Sequence, residues 1–160
     1  MTWGRDTDEH EAREQLALFQ GAGGNLVDTA DVYADGAAEK ILGRLLAEDH
    51  RRDGIVLATK SVSRPGTERR FDASRRHLLA ALDGSLRRLG VDCIDLWQLH
   101  AWDPWTPIEE TLSAVDAAIA AGKVRYAGVS NYSGWQVAQA ATLQSTSAAG
   151  NPLVSVQVEY

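Results

Sequence analysis

Four residues, each at or just beyond the end of an apolar run, carry groups that together suit proton donation to a carbonyl. Asp28 follows Asn25-Leu26-Val27, Tyr33 lies in the loop behind it, Lys60 closes the run from Ile55, and His100 closes the run from Cys93. A phenol titrates near ~10, too high to give up its proton readily at neutral pH. A neighbouring ammonium stabilises phenolate, each unit of lowering being worth about 1.4 kcal/mol. Asp28 is suited to hold Lys60 in place and keep it charged, and His100 to orient a carbonyl oxygen or pass a proton. Together they make an acid assembly for a carbonyl becoming an alkoxide. Singly, each has a plainer reading: a structural carboxylate, a surface aromatic, a solvated lysine, an edge histidine. Their succession at consecutive run ends favours chemistry.

The elements that must carry these groups alternate regularly. Short β-rich runs occur at Asn25–Ala30, Ile55–Lys60, Cys93–His100, Tyr126–Asn131 and Val154–Tyr160. Helical spacing fills the intervals. Leu16 and Phe19 precede Gly21, Ile41, Leu42, Leu45 and Leu46 follow Glu39, and Leu78, Leu79, Leu82, Leu86 and Leu89 form a stripe that stops at Gly90. Thr106 and Pro107 predict a cap and first helical residue, with Glu109-Glu110 in the favourable first turn and Gly122 as the stop. A last helix is expected from Ser133 through Val137 and Ala141 toward Gly150, and Met1-Thr2-Trp3-Gly4 reads as the tail of a strand.

Strand, helix, strand, repeated without a hairpin signal, predicts right-handed crossovers and a parallel sheet. Two closures are compatible with that: an open doubly wound sheet, or part of a (β/α)8 barrel. The runs finish in Asp28-Thr29-Ala30-Asp31, in Lys60, in His100 and in Ser130-Asn131, while the fifth carries Gln157 and Glu159. Polar groups gathering at one end of successive strands is how a barrel builds its site. A doubly wound nucleotide-binder would carry a Gly-rich turn after its first strand, whereas the cluster Gly21 to Gly24 precedes one. The expectation is therefore an α/β fold, a partial (β/α)8 TIM barrel running roughly from the end of strand 1 to strand 6, as a single incomplete domain over residues 1–160.

The chain has 160 residues, 44% of them hydrophobic, and a formal net charge of −6, which suits one core and no internal domain boundary. Mild acidity without a Lys/Arg cluster argues against nucleic acid. Arg51-Arg52 and Arg69-Arg70 read as solvated pairs. The lone Cys93 precludes an internal disulfide, suits a reducing cytoplasm and reads as buried packing. With no apolar stretch near ~20 residues and no visible signal peptide, neither a membrane span nor secretion is expected, and no metal site is indicated.

At this point the sequence resembles the aldo-keto reductase family, specifically its bacterial members with a Gly-Val-Ser-Asn strand. The matching stretches are Val27-Asp28-Thr29-Ala30-Asp31-Val32-Tyr33, Leu57-Ala58-Thr59-Lys60 and Asp95-Leu96-Trp97-Gln98-Leu99-His100. Asp103 and Thr106-Pro107-Ile108-Glu109-Glu110 follow, then Gly122 through Asn131 and Val156-Gln157-Val158-Glu159-Tyr160. The resemblance covers nearly the whole chain. It implies a (β/α)8 barrel that binds NADPH across its top and reduces an aldehyde or ketone, a small-molecule carbonyl, to an alcohol. Carried over by motif, it implies Tyr33 as general acid aided by Lys60, Asp28 and His100, with Ser130, Asn131 and Gln157 on the nicotinamide carboxamide. An amide suits a carboxamide because each offers a donor and an acceptor. Without the motif, Asn131 and Gln157 would read as strand-end caps. Trp3, Trp102 and Trp105 fall where the family builds its substrate pocket, Trp102 being the best placed; Tyr132 and Trp135 read as packing at a helix start.

Family members are typically twice this length. The resemblance implies that the opening hairpin, strands seven and eight, the aromatic that stacks on nicotinamide and the basic segment on the adenosine phosphate fall outside these residues. Phosphate binding in this fold usually depends on the loops after strands seven and eight. The segment by itself is thus expected to be inactive or to bind cofactor weakly, and to self-associate through open barrel edges. Alternatives are a regulatory or binding relative, such as the family members tied to membrane channels, or a non-catalytic remnant.

Overall fold

The computed structural model describes residues 1–147 and 150–159, apart from the side chains of residues 49–51. Tyr160, expected to end the fifth strand, and the side chain of Arg51 lie outside the described residues. Among the described residues five α-helices and five strands alternate: α1 (Glu9–Gly21), β1 (Leu26–Asp28), α2 (Ala37–Ala47), β2 (Val56–Ser61), α3 (Arg75–Leu89), β3 (Ile94–Leu99), α4 (Ile108–Ala120), β4 (Val124–Ser130), α5 (Gly134–Thr146) and β5 (Leu153–Gln157). All strand pairs are parallel, in the order β1-β2-β3-β4-β5.

Local chemistry sets the helix ends. At α1 the Asp8 carboxylate accepts from the Glu11 main-chain N–H at 2.9 Å while the Glu11 carboxylate takes the Asp8 N–H, a reciprocal cap. The leucine stripe of α3 starts at the Ser74 cap and stops at Gly90, whose φ of 67° is the left-handed turn that glycine takes without penalty. Helix α4 begins one residue later than expected, with Pro107 as cap. Thr106 is drawn away because its hydroxyl donates to the buried Asp103 carboxylate at 2.6 Å, a charge-assisted bond stronger than a capping contact. Residues 1–4 do not join the sheet. Gly4, at φ 83°, helps turn the chain back so that the Arg5, Asp6 and Thr7 N–H groups reach the Thr2 carbonyl, and Trp3 bridges only to Thr7.

Side chains alternate along each strand. Leu57, Trp97, Leu99, Ala127 and Val129 lie beneath the helices in one core with Leu42, Leu46, Leu78, Leu82, Leu112, Val115 and Ala140. Burying each leucine contributes about 1.5–3 kcal/mol. The opposite face presents Leu26, Val56 and Tyr126, which remain exposed, and ends in Asp28, Lys60, Ser130 and Gln157. That face is concave. Four inter-strand spacings in a flat sheet would part β1 from β5 by about 19 Å, yet Gln157 Nε2 donates to Asp28 Oδ2 at 3.2 Å. Only a strongly curled sheet brings those strand ends within side-chain reach, so the chain forms the part-barrel expected from its alternation.

Two surface expectations change. Arg52 and Arg69 are not free in solvent: Arg52 pairs with Asp95 at 2.6 Å, and Arg69 with Asp103 at 2.7 Å. Cys93 is half-buried rather than buried, because it sits in the turn one residue before β3.

Candidate active site

Parallel register delivers the polar tips to one rim. Asp28 pairs with Ala58, Lys60 with Gln98 and Ser130 with Gln157, and the His100 N–H donates to the Ser61 carbonyl at 2.8 Å. Lys60 is the most deeply placed: its side chain is 2% exposed, and its ammonium donates to Asp28 Oδ2 at 2.5 Å and to the Thr29 carbonyl at 2.9 Å. A buried ammonium without such partners would shed its proton or stay in water. Asp28 meets the requirement on one side, and Gln157 meets Asp28 on the other.

Tyr33 stands over this pair. Lys60 Nζ lies 5.2 Å from the centre of its ring, and the His100 ring meets it edge-to-face at 5.7 Å, with planes 76° apart. Among the described residues no hydrogen bond joins the Tyr33 hydroxyl to Lys60 or His100. A short 3-10 turn, Tyr33–Gly36, holds the ring in place, with Ala34 at φ 49° and Asp35 at φ 52°. Left-handed backbone costs an L-residue roughly 1–2 kcal/mol, so this turn is strained beside the site.

Burial first, and then the charge of Lys60, push the His100 imidazole down to about 4. The ring is therefore neutral near pH 7, and its Nδ1 is buried without a partner among the described residues. The His100 carbonyl accepts from Asn131 Nδ2 at 2.9 Å, and the same amide nitrogen donates to Ser130 Oγ at 3.0 Å. Asn131 itself takes φ 56°, which asparagine tolerates better than most residues. With its nitrogen so engaged, the amide oxygen of Asn131 receives no donor among the described residues.

All seven sequence-expected polar residues thus fall on one rim: Asp28, Tyr33, Lys60 and His100 as a contacting group, with Ser130, Asn131 and Gln157 along its β4–β5 side. The aromatic candidates diverge. Trp3 is tied by its indole N–H to Gln15 of α1 at 2.8 Å and lines a recess with Val27, Asp28 and Thr29. Trp102 stacks edge-on with Tyr132 at 5.2 Å and with Trp135 at 5.4 Å, whereas Trp105 is 79% exposed. Sequence reasoning separated Tyr132 and Trp135 from Trp102; the structure makes them one aromatic group.

It also missed the anchor of the loops flanking that group. Asp103 accepts from Arg69, Thr106, the Ala73 N–H and the Trp105 N–H; burial, the largest single influence, pushes its carboxyl up, but these donors together outweigh it and hold it below the ordinary carboxylate range. The Trp105 contact, from N–H to a side chain two residues back, is a turn signal visible in Asp103-Pro104-Trp105. The long-range Arg69 contact leaves no such local mark.

Comparison with known proteins places this geometry. The family model for the aldo/keto reductase family matches residues 1–160. The chain is 36% identical to aldo-keto reductase YhdN of Bacillus subtilis (strain 168) over 99% of its length and 46% of the relative's. It is 35% identical to a probable voltage-gated potassium channel subunit beta of Oryza sativa subsp. japonica, over 100% of this chain and 49% of that one. With aldo-keto reductase yakc [NADP(+)] of Schizosaccharomyces pombe it shares 40% identity over 83% of the chain and 38% of the relative. The solved holo form of aldo-keto reductase AKR11C1 from Bacillus halodurans superposes with a TM-score of 0.83 at 34% identity, covering 96% of this chain and 50% of that one. The chain thus spans about half the length of the relatives it matches. With the full-length family match and the curled parallel sheet in agreement, the chain belongs to the aldo/keto reductase family.

Proposed function

We propose that the protein carrying this chain reduces an aldehyde or ketone to an alcohol with hydride from NADPH, Tyr33 serving as the general acid. The observation that carries the reading is the buried Lys60 ammonium, held by Asp28 at 2.5 Å and standing 5.2 Å from the Tyr33 ring. A fixed positive charge beside the phenol is placed to offset the negative charge that develops as its proton passes to the carbonyl oxygen. Asp28 holds the Lys60 side chain in place. His100, neutral at physiological pH, is a hydrogen-bond donor to the carbonyl oxygen rather than the proton source.

The donor set suits a nicotinamide carboxamide. Ser130 has a hydroxyl proton to give while its oxygen takes the Asn131 amide, and the Asn131 carbonyl oxygen is an open acceptor. Gln157 adds a second amide on the same rim, so these three residues would hold the carboxamide and fix which face of the ring looks at the substrate. When bound, the cofactor supplies the hydride. NADPH as the partner is supported by the relative named for NADP(+). Trp102 with Trp135 and Tyr132, and Trp3 on the opposite flank, are the substrate-facing candidates. Among the described residues no helix is long and apolar enough to cross a membrane, and one half-buried cysteine fits a cytoplasmic setting. A channel-associated role is a second reading, favoured by likeness to plant proteins named as probable potassium channel β subunits.

The test is isotope transfer in the full-length protein with NADPH doubly deuterated at C4 and a panel of aldehydes. The expected product alcohol carries one deuterium at the carbinol carbon. Cofactor binding without any labelled alcohol across the panel would replace the reductase reading with the binding one.

A further inference from the structure

The strand that carries Lys60 turns its neighbouring side chains into a buried polar chain that the proposed chemistry does not use. On one flank Thr59 donates to the fully buried Glu39 of α2 at 2.6 Å, and Arg88 of α3 donates to the other Glu39 oxygen at 2.6 Å. On the next residue the Trp97 indole of β3 donates to Ser61 Oγ at 3.1 Å, which leaves the Ser61 proton for Asp31, its hydrogen-bond partner. The main-chain N–H of Asp31 donates to the carbonyl of Lys60 itself at 3.0 Å. Asp31 Oδ1 is buried and has no partner among the described residues.

We propose that Asp31 is a positioning residue: with its carboxyl neutral it seats the loop between Asp28 and Tyr33 against the Lys60 strand, and with its carboxyl ionised it releases that loop. The proposal rests on the reading of Tyr33 as the acid group. One guanidinium, Arg88, acts on two carboxyls: Glu39 holds it at 2.6 Å, and Asp31 feels only its charge. An ionised Asp31, half-buried but with its Oδ1 shut away from water, would thus be a second anion with an unsatisfied oxygen, a state that proteins avoid by neutralising the group or moving it to water. Movement toward water would strain the Asp31–Lys60 main-chain bond, and Tyr33 is only two residues on, its own N–H tied to the Ala30 carbonyl at 3.2 Å.

The charged groups facing Asp31 are Glu39 from α2 and Arg88 from α3, with the Ser61 hydroxyl from β2 and the Val32 N–H. Burial first, then Glu39, raise the carboxyl to about 7; Arg88, Val32 and Ser61 oppose them. A carboxyl raised in the folded state contributes stability below the ordinary carboxylate range and loses it as pH rises toward about 7.

The test uses infrared titration and pH-dependent turnover in the full-length protein. Wild type is expected to show a protonated-carboxyl stretch that fades between about pH 6 and 8, while kcat/KM falls by up to about tenfold, as the protonated fraction of a group titrating near 7 does. Asp31→Asn should lack the band and flatten that limb while keeping turnover at the acidic end. Ser61→Ala, which removes a donor to the ionised form, should move both midpoints upward. Absence of the band in wild type, or a pH profile identical in wild type and Asp31→Asn, would overturn the proposal. Full turnover in Tyr33→Phe would instead dismiss the acid assignment and leave the infrared titration of Asp31 standing.

Discussion

The two rims of the curled sheet differ in how completely their buried polar groups are paired. At the rim where the strands start, charge is matched by charge. Asp95 takes Arg52 at 2.6 Å, Arg125 at 3.0 Å and the Leu57 N–H at 2.9 Å, and Lys123 meets Asp83 at 2.7 Å. At the rim where the strands finish, Lys60 with Asp28 and Arg69 with Asp103 are paired as well, but other polar groups are not. Thr29 Oγ1, Asp31 Oδ1 and His100 Nδ1 are buried without partners among the described residues. The left-handed non-glycine residues Ala34, Asp35, Val62 and Asn131 all follow the ends of β1, β2 or β4. Unpaired groups and strained backbone persist only where the surroundings enforce them, and such places tend to be functional. On the proposed function, one rim holds the sheet together and the other keeps groups ready for a ligand.

If that division is real, removing the hub of the starting rim should cost stability and spare chemistry. Asp95→Ala leaves two guanidinium groups and the Leu57 N–H without their acceptor, and should lower unfolding free energy by about 1–3 kcal/mol in denaturant titration. The cofactor-binding constant of the full-length protein should hardly move. At the finishing rim the expected signature is pH dependence. The His100 pKa is depressed in the fold, so its stabilising contribution is complete above about 6.5 and is lost as pH falls toward about 4. Thermal melts across that window should flatten in His100→Gln relative to wild type; parallel curves would show that His100 titrates normally. The smallest effect concerns stored strain. Ala34→Gly relieves the φ of 49° at the cost of unfolded-state entropy, for a net gain of roughly 0.5–1 kcal/mol in unfolding free energy.

Much of the finishing rim was legible in the linear chain. Strand-tip residues such as Lys60 and His100 inherit their positions from local periodicity, and a parallel sheet brings all such tips to one edge without long-range information. The stripe of α3 and its Gly90 stop were readable for the same reason. The starting rim was opaque: Arg52 and Asp95 are 43 residues apart in sequence, and nothing near either marks the other. Arg69 looked solvated because its acceptor, Asp103, arrives from a different loop. Thr106 was misread as a cap because the same carboxylate, invisible to a local rule, outbid the helix. Roles for Asn131 and Gln157 came from the family motif, since an amide at a strand end has too many ordinary uses to declare one.

The most direct test removes a single oxygen from the finishing rim. In single-turnover reduction with bound NADPH, Tyr33→Phe should slow alcohol formation by about 10²–10⁴-fold, the span expected for loss of a positioned acid. Cofactor affinity and melting temperature should stay within error of wild type, because the Tyr33 hydroxyl makes no hydrogen bond to Lys60 or His100. Unchanged turnover in Tyr33→Phe would contradict the account.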